Sequence, residues 1–249
     1  MYNPMSLQGR RILVTGASSG IGRACAIVLS KLGASVVVCA RRKEELEKTI
    51  SLLDGTNHSI CVCDLLNPAE VAKLPNETGK LDGLIHSAGV APMGPIGFVQ
   101  ECEMNDVFKV NCFSFFELMK NYSKAKNRAE KFSAVVISSV SAFAGWQGGS
   151  VYCASKGAVS AAVRSLAIEL APKGIRVNAI CPSNVKTPLY DQGATEINSE
   201  ESLERLLSKQ VLGLGMPEQI AEVAAFLLSE ASSFVTGVNL PVDGGYLAQ

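Results

Sequence analysis

The sequence predicts an α/β fold: a doubly wound parallel sheet of about seven strands with helices on both faces, built by residues 1–249 as a single domain. Three observations predict it. Short apolar runs rich in β-branched residues alternate with helical patterns along the whole chain. The runs are almost free of charge, as strands covered on both faces must be. No repeat, low-complexity tract or Pro/Gly/Ser linker divides the chain.

The elements follow in order. Ile12, Leu13 and Val14 read as a buried strand over 11–15. Gly16, Gly20 and Gly22 make a tight turn into a helix over 20–32. Val36, Val37 and Val38 mark a strand at 35–39, followed by a helix at 42–53. A third strand falls at 59–63. Residues 64–80 leave room for about two helical turns before a fourth strand at 81–85. A long helix over 101–127 leads to a strand at 133–138, then a helix at 152–171 and a strand at 175–180. The segment 184–213 is long and polar. Its place after a strand's carboxyl end is where ligand lids occur. A helix at 217–229 and a strand at 237–241 close the fold. Right-handed crossovers join the strands.

Composition narrows the function. The 23 basic and 23 acidic residues balance, which argues against nucleic acid or an anionic membrane as a partner. No apolar run approaches the length of a membrane span, and the amino-terminal stretch lacks a signal-peptide core, so a cytoplasmic location is expected. Of the 8 cysteines, Cys25, Cys39, Cys112 and Cys181 sit at apolar positions and read as small core residues. Cys61 and Cys63 share one face of a strand. With only 2 histidines, His58 and His86, no zinc pattern forms and no metal is expected. Cys153 adjoins Tyr152 and reads as packing.

Two constellations carry chemistry. In the turn T-G-A-S-S-G-I-G, residues 15–22, glycines let the backbone approach a pyrophosphate, and the helix end behind them offers free N–H groups. Its spacing differs from the general dinucleotide fingerprint. In the second, Tyr152 and Lys156 stand four apart, on one face of a helix, with Ser139 upstream. A lysine ammonium beside a phenol favours the phenolate, which makes the tyrosine a usable acid or base.

These motifs in this order, with Asn111 between them, resemble the short-chain dehydrogenase/reductase family. H-S-A-G at 86–89 stands where the family usually has N-N-A-G, P-S-N-V-K-T at 182–187 where it usually has P-G-x-x-x-T, and D-G-G-Y occupies 243–246. The resemblance covers nearly the whole chain and implies a Rossmann-type domain, with a cofactor half at about 10–110 and a catalytic and substrate-loop part at about 111–249. It implies Tyr152 as proton donor to a carbonyl and Lys156 as the residue that lowers its pKa and bonds the nicotinamide ribose. It also implies Ser139 as polariser of the substrate oxygen, and Asn111 as a helix kink that anchors a relaying water. The cofactor would meet Gly16, Ser18, Ser19, Gly20, Ile21 and Gly22 at its phosphates. Asp64 would bond the adenine amino group, and Leu65, Ser87, Ala88 and Gly89 would be further cofactor contacts. Val185 and Thr187 would face the carboxamide and phosphate sides, with Pro182 as a further cofactor contact. Asp64 read alone could equally be a helix cap before Asn67.

Ala40 stands where an NAD-selecting aspartate would be, and Arg41 and Arg42 follow. With no carboxylate to repel a 2′-phosphate and a guanidinium to grip it, NADP(H) is favoured. Ser19 lacks the basic character many NADP-preferring relatives have there. The family's carbonyl or alcohol substrate is expected among Ser139, Trp146, Tyr152 and Leu189, with Phe143, Met93 and Tyr190 as further apolar lining. The general resemblance is to 3-oxoacyl-carrier-protein reductases, although Glu130 falls where those tend to present an arginine. The alternative is a catalytically silent cofactor-binding regulator or scaffold of the same fold. An epimerase or dehydratase would need a larger segment after Pro182. Excess apolar residues on the helices at 101–127 and 152–171 predict a homo-oligomer, a dimer or tetramer.

Overall fold

The computed structural model describes residues 3–196 and 208–249, the side chains of 193–196 excepted. Seven parallel strands form one sheet: β1 (Arg11–Thr15), β2 (Ser35–Ala40), β3 (Ser59–Val62), β4 (Leu81–His86), β5 (Arg128–Ile137), β6 (Ile175–Pro182) and β7 (Asn239–Val242). Their order across the sheet is β3-β2-β1-β4-β5-β6-β7. Each neighbouring pair is parallel. The chain starts in the middle, winds to one edge, then returns beside β1 and winds to the other. That reversal between β1 and β4 opens a crevice at the strands' carboxyl ends.

Helices α1 (Gly20–Lys31), α2 (Lys43–Ile50) and α8 (Pro217–Leu228) cover one face. Helices α3 (Pro68–Thr78), α5 (Ser114–Tyr122) and α6 (Ser150–Leu170) cover the other. α4 (Glu101–Phe108) precedes α5, and α7 (Pro188–Glu196) follows β6. Side-chain alternation explains the two cores. Ile12 and Val14 join the cluster under α1 and α8, while Leu13 joins the one under α5 and α6. Cys25, Cys39, Cys112 and Cys181 are all buried within these layers.

Three elements differ from expectation. α3 runs 11 residues, more than the two turns expected, because Asn67 caps it and Pro68 opens it. Pro75 lies inside α3, and the Val71 carbonyl, which a proline at that position cannot pair, accepts instead from Asn121 Nδ2 at 3.4 Å. β5 starts at Arg128, five residues early: Arg128 pairs with Leu81 of β4, and the ladder then shifts register before it resumes at Gly83 and Ser133. The expected helix over 101–127 is two α-helices joined by a π turn, Lys109–Phe113. Part of the 184–213 segment is regular: α7 occupies its start, whereas residues 197–207 lie outside the described residues.

Candidate active site

The crevice is a cleft of about 1290 Å³. Its floor is the glycine turn. Gly16 has φ +69°, and a Cβ there would sit 2.7 Å from the Ala88 amide. A Cβ on Gly22 would come within 2.3 Å of the Gly16 carbonyl. The turn therefore folds back on itself and against the strand beside it, and only glycine fits. The α1 amino terminus points its free N–H groups along this floor. The full set Gly16, Ser18, Ser19, Gly20, Ile21, Gly22, Arg41, Arg42, Asp64, Leu65, Ser87, Ala88 and Gly89 lines the cleft, as do Pro182, Val185 and Thr187. An extended dinucleotide fits this chemistry: glycine cradle, helix end, and two arginines at one margin.

Arg42 is the residue before α2, and both arginines are exposed. Asp64 does not cap α3; its Oδ1 accepts from the Leu66 amide at 3.0 Å in a local turn, and Asn67 takes the cap, accepting from Ala69 at 3.1 Å. Ser183, where the resemblance calls for glycine, is unstrained: no non-glycine among the described residues has positive φ. Its hydroxyl donates to the Asp243 carbonyl at 2.9 Å.

Ser139 follows the end of β5 and accepts from the Ser141 amide at 3.0 Å, which fixes its rotamer. Tyr152 and Lys156 lie one turn apart on α6 and share the cleft with Ser139. Lys156 Nζ donates to the Ile137 carbonyl at 2.8 Å and lies 5.7 Å from the Tyr152 ring centroid. Burial pushes the phenol up to about 12, opposed by the Ser139 hydroxyl. Desolvation is the largest cause of that rise. Burial also brings Lys156 down to about 8. The pair thus holds a protonated phenol next to an ammonium that titrates within reach of neutral pH.

Asn111 does not line the cleft. It is buried in the π turn, where its Oδ1 accepts from the Val90 amide at 2.8 Å. Its Nδ2 donates to the Val90 carbonyl at 2.9 Å and to Ser155 Oγ at 3.0 Å. The side chain thus spends both donors inside the protein and ties the loop after β4 to the residue before Lys156. Trp146 lines the cleft with its ring centroid 6.3 Å from that of Tyr152. Leu189, Met93 and Tyr190 also line it, and Phe143 instead faces solvent, 54% exposed.

Two contributors were not legible. Ser141 accepts from Trp146 Nε1 at 3.1 Å and so orients the ring. Gln210 is buried and clasps the loop after β6, accepting from the Asn184 amide at 2.8 Å and donating to its carbonyl at 3.1 Å. A glutamine in a polar stretch carries no sequence signal for this. Among the described residues no cluster of histidine, cysteine and carboxylate side chains could hold a metal. Hydrogen bonds with Cys61 and Cys63, together with burial, hold the Cys39 thiol well above its usual range.

Fold and site together define an α/β oxidoreductase built around a dinucleotide cleft. Comparison with known proteins agrees. The family model described as enoyl-(acyl carrier protein) reductase matches residues 16–247. The chain is 34% identical to the 3-oxoacyl-(acyl-carrier-protein) reductase FabG of Rickettsia prowazekii, over 98% of this chain and 99% of that one. It is 33% identical to mouse (Mus musculus) L-xylulose reductase, again over 98% and 99%. A crystal structure from Agrobacterium tumefaciens, provisionally named a 2-deoxy-d-gluconate 3-dehydrogenase and solved with NADP bound, superposes with a TM-score of 0.89 at 35% identity, covering 100% of both chains. The chain belongs to the short-chain dehydrogenase/reductase family.

Proposed function

We propose that this protein is an NADP(H)-dependent reductase that converts a carbonyl to a secondary alcohol. The observation that carries the reading is the convergence of Ser139, Tyr152 and Lys156 on the cleft that also holds the glycine turn. The glycine turn and the α1 end would hold the pyrophosphate, Arg41 and Arg42 a 2′-phosphate, and Lys156 the nicotinamide ribose. When bound, the cofactor supplies hydride to the carbonyl carbon.

The chain's own groups handle the oxygen. The Ser139 hydroxyl donates to the substrate oxygen and sets its position. Tyr152, held protonated by burial, gives its proton to that oxygen as negative charge develops there. The Lys156 ammonium steadies the phenolate left behind and loses or regains its own proton readily, its pKa being about 8. Trp146, Leu189, Met93 and Tyr190 give the substrate side apolar surface.

Relatives of nearly equal identity bear names for an acyl-carrier thioester and for a sugar. The names share a carbonyl and differ in what bears it, so the proposal stops at the carbonyl. We also propose that the protein works as a homo-oligomer. A panel of ketones, 3-oxoacyl thioesters and keto sugars, followed by loss of NADPH absorbance, tests the reading. Steady oxidation with at least one compound is expected. Tight NADPH binding with no oxidation by any of them would favour the silent regulator instead.

A further inference from the structure

His86 ends β4 beneath the cleft, 1% exposed, where the family resemblance leads one to expect asparagine. Its ring stacks on Phe115 at 5.7 Å between centroids. Nδ1 lies 2.9 Å from Thr15 Oγ1, and Nε2 lies 3.2 Å from Ser114 Oγ. The direction of this chain can be deduced. Ser114 Oγ is 2.7 Å from the Val110 carbonyl, which can only accept, so the Ser114 proton is committed there. Nε2 must then carry a hydrogen and donate to Ser114. Nδ1 is left bare and accepts from the Thr15 hydroxyl, provided the ring is neutral. Burial, and secondarily the Lys156 charge, disfavour the cation, outweighing the Val110 carbonyl, which favours it.

Ser114 stands where the helix is irregular. In a regular helix its amide would bond the Val110 carbonyl. Here that amide reaches one residue further, to Lys109, and the Ser114 hydroxyl serves Val110 instead. The π turn that results carries Asn111 and sets it against Val90 and Ser155.

We propose that His86, as the neutral Nε2–H tautomer, is a positioning residue that acts through Ser114 to fix this π turn and with it the setting of Asn111 beside Lys156. The chain runs from Thr15, the last residue of β1 before the glycine turn, through His86 to the turn, so the two halves of the site share one buried strut. Its kinetic consequence rests on the reductase reading; its proton placement does not.

Two measurements test it. In ¹⁵N-histidine spectra of the full chain, with His86 assigned by its loss in His86→Gln, the ring should be neutral and protonated at Nε2 at pH 7. An Nδ1–H tautomer or a cationic ring overturns the proposal whether or not any substrate is known. On a confirmed carbonyl substrate, Ser114→Ala and His86→Leu should each lower kcat about tenfold, the scale of one hydrogen bond, with the NADPH KM unchanged. His86→Gln keeps a donor toward Ser114 and should retain most of kcat. The Ser114→Ala loss should vanish in an Asn111→Ala background. Equal losses for Gln and Leu, or additivity with Asn111→Ala, would reduce His86 to a packing residue and refute the strut.

Discussion

At the scale of single residues, burial sets the chemistry. Tyr152 and Lys156 are both shifted first by desolvation, the phenol upward and the ammonium downward. Because kcat/KM reports the free enzyme, carbonyl reduction should be level below pH 8 and fall above it as Lys156 loses its charge. A Lys156-independent profile, flat to pH 10, would contradict this. His86 gives a second pH effect. Its folded pKa is lowered from 6.5 to about 3. Between those values the unfolded chain binds a proton that the folded chain does not, so stability falls as pH drops below 6.5, by about 1.4 kcal/mol per unit. Urea unfolding at pH 7 and pH 5 should show His86→Gln losing about 2 kcal/mol less than the wild type over that interval. Equal losses would show that His86 charges freely in the fold.

At the scale of elements, the join of β2 to α2 decides cofactor choice. Ala40 ends the strand, and Arg41 and Arg42 pass along the cleft margin before α2 begins. One charge-assisted phosphate contact contributes about 1.5–3 kcal/mol. Arg41→Ala should therefore cut the preference for NADPH over NADH by roughly tenfold to a hundredfold, as read by titrating both. Tighter NADH binding by the unaltered protein would sink the idea. Most of this layout was legible beforehand. Period and β-branching placed all seven strands, and the family resemblance carried by Gly16, Gly20, Gly22, Tyr152 and Lys156 named residues that line the cleft. The misreadings have physical causes. α3 hides behind Pro75, whose penalty is offset by a distant donor, Asn121, that no local pattern reveals. The π turn hides because an apolar helix pattern does not show a one-residue slip in its hydrogen bonds. Pair spacing says nothing of desolvation, the largest influence on the Tyr152 phenol.

At the scale of the molecule, two layers of helices enclose the sheet, yet apolar surface is left over. Phe113 and Phe116 at the π turn and α5 are 53% and 40% exposed, and Ile168 on α6 is 80% exposed. Local loops leave these side chains uncovered, and contact with a second copy of the chain is the proposed cover. Sedimentation at micromolar concentration should show a dimer or tetramer; a monomer alone would reject that interface. No helix among the described residues is long and apolar enough to cross a membrane. The central claim is that this cleft reduces a carbonyl with the Tyr152 proton. Its most direct test is Tyr152→Phe, which keeps the ring and removes only the acid, assayed by NADPH oxidation beside calorimetric NADPH binding. Binding should stay near the wild-type value while turnover falls at least about a hundredfold. Turnover close to wild type on the same substrate would contradict the claim.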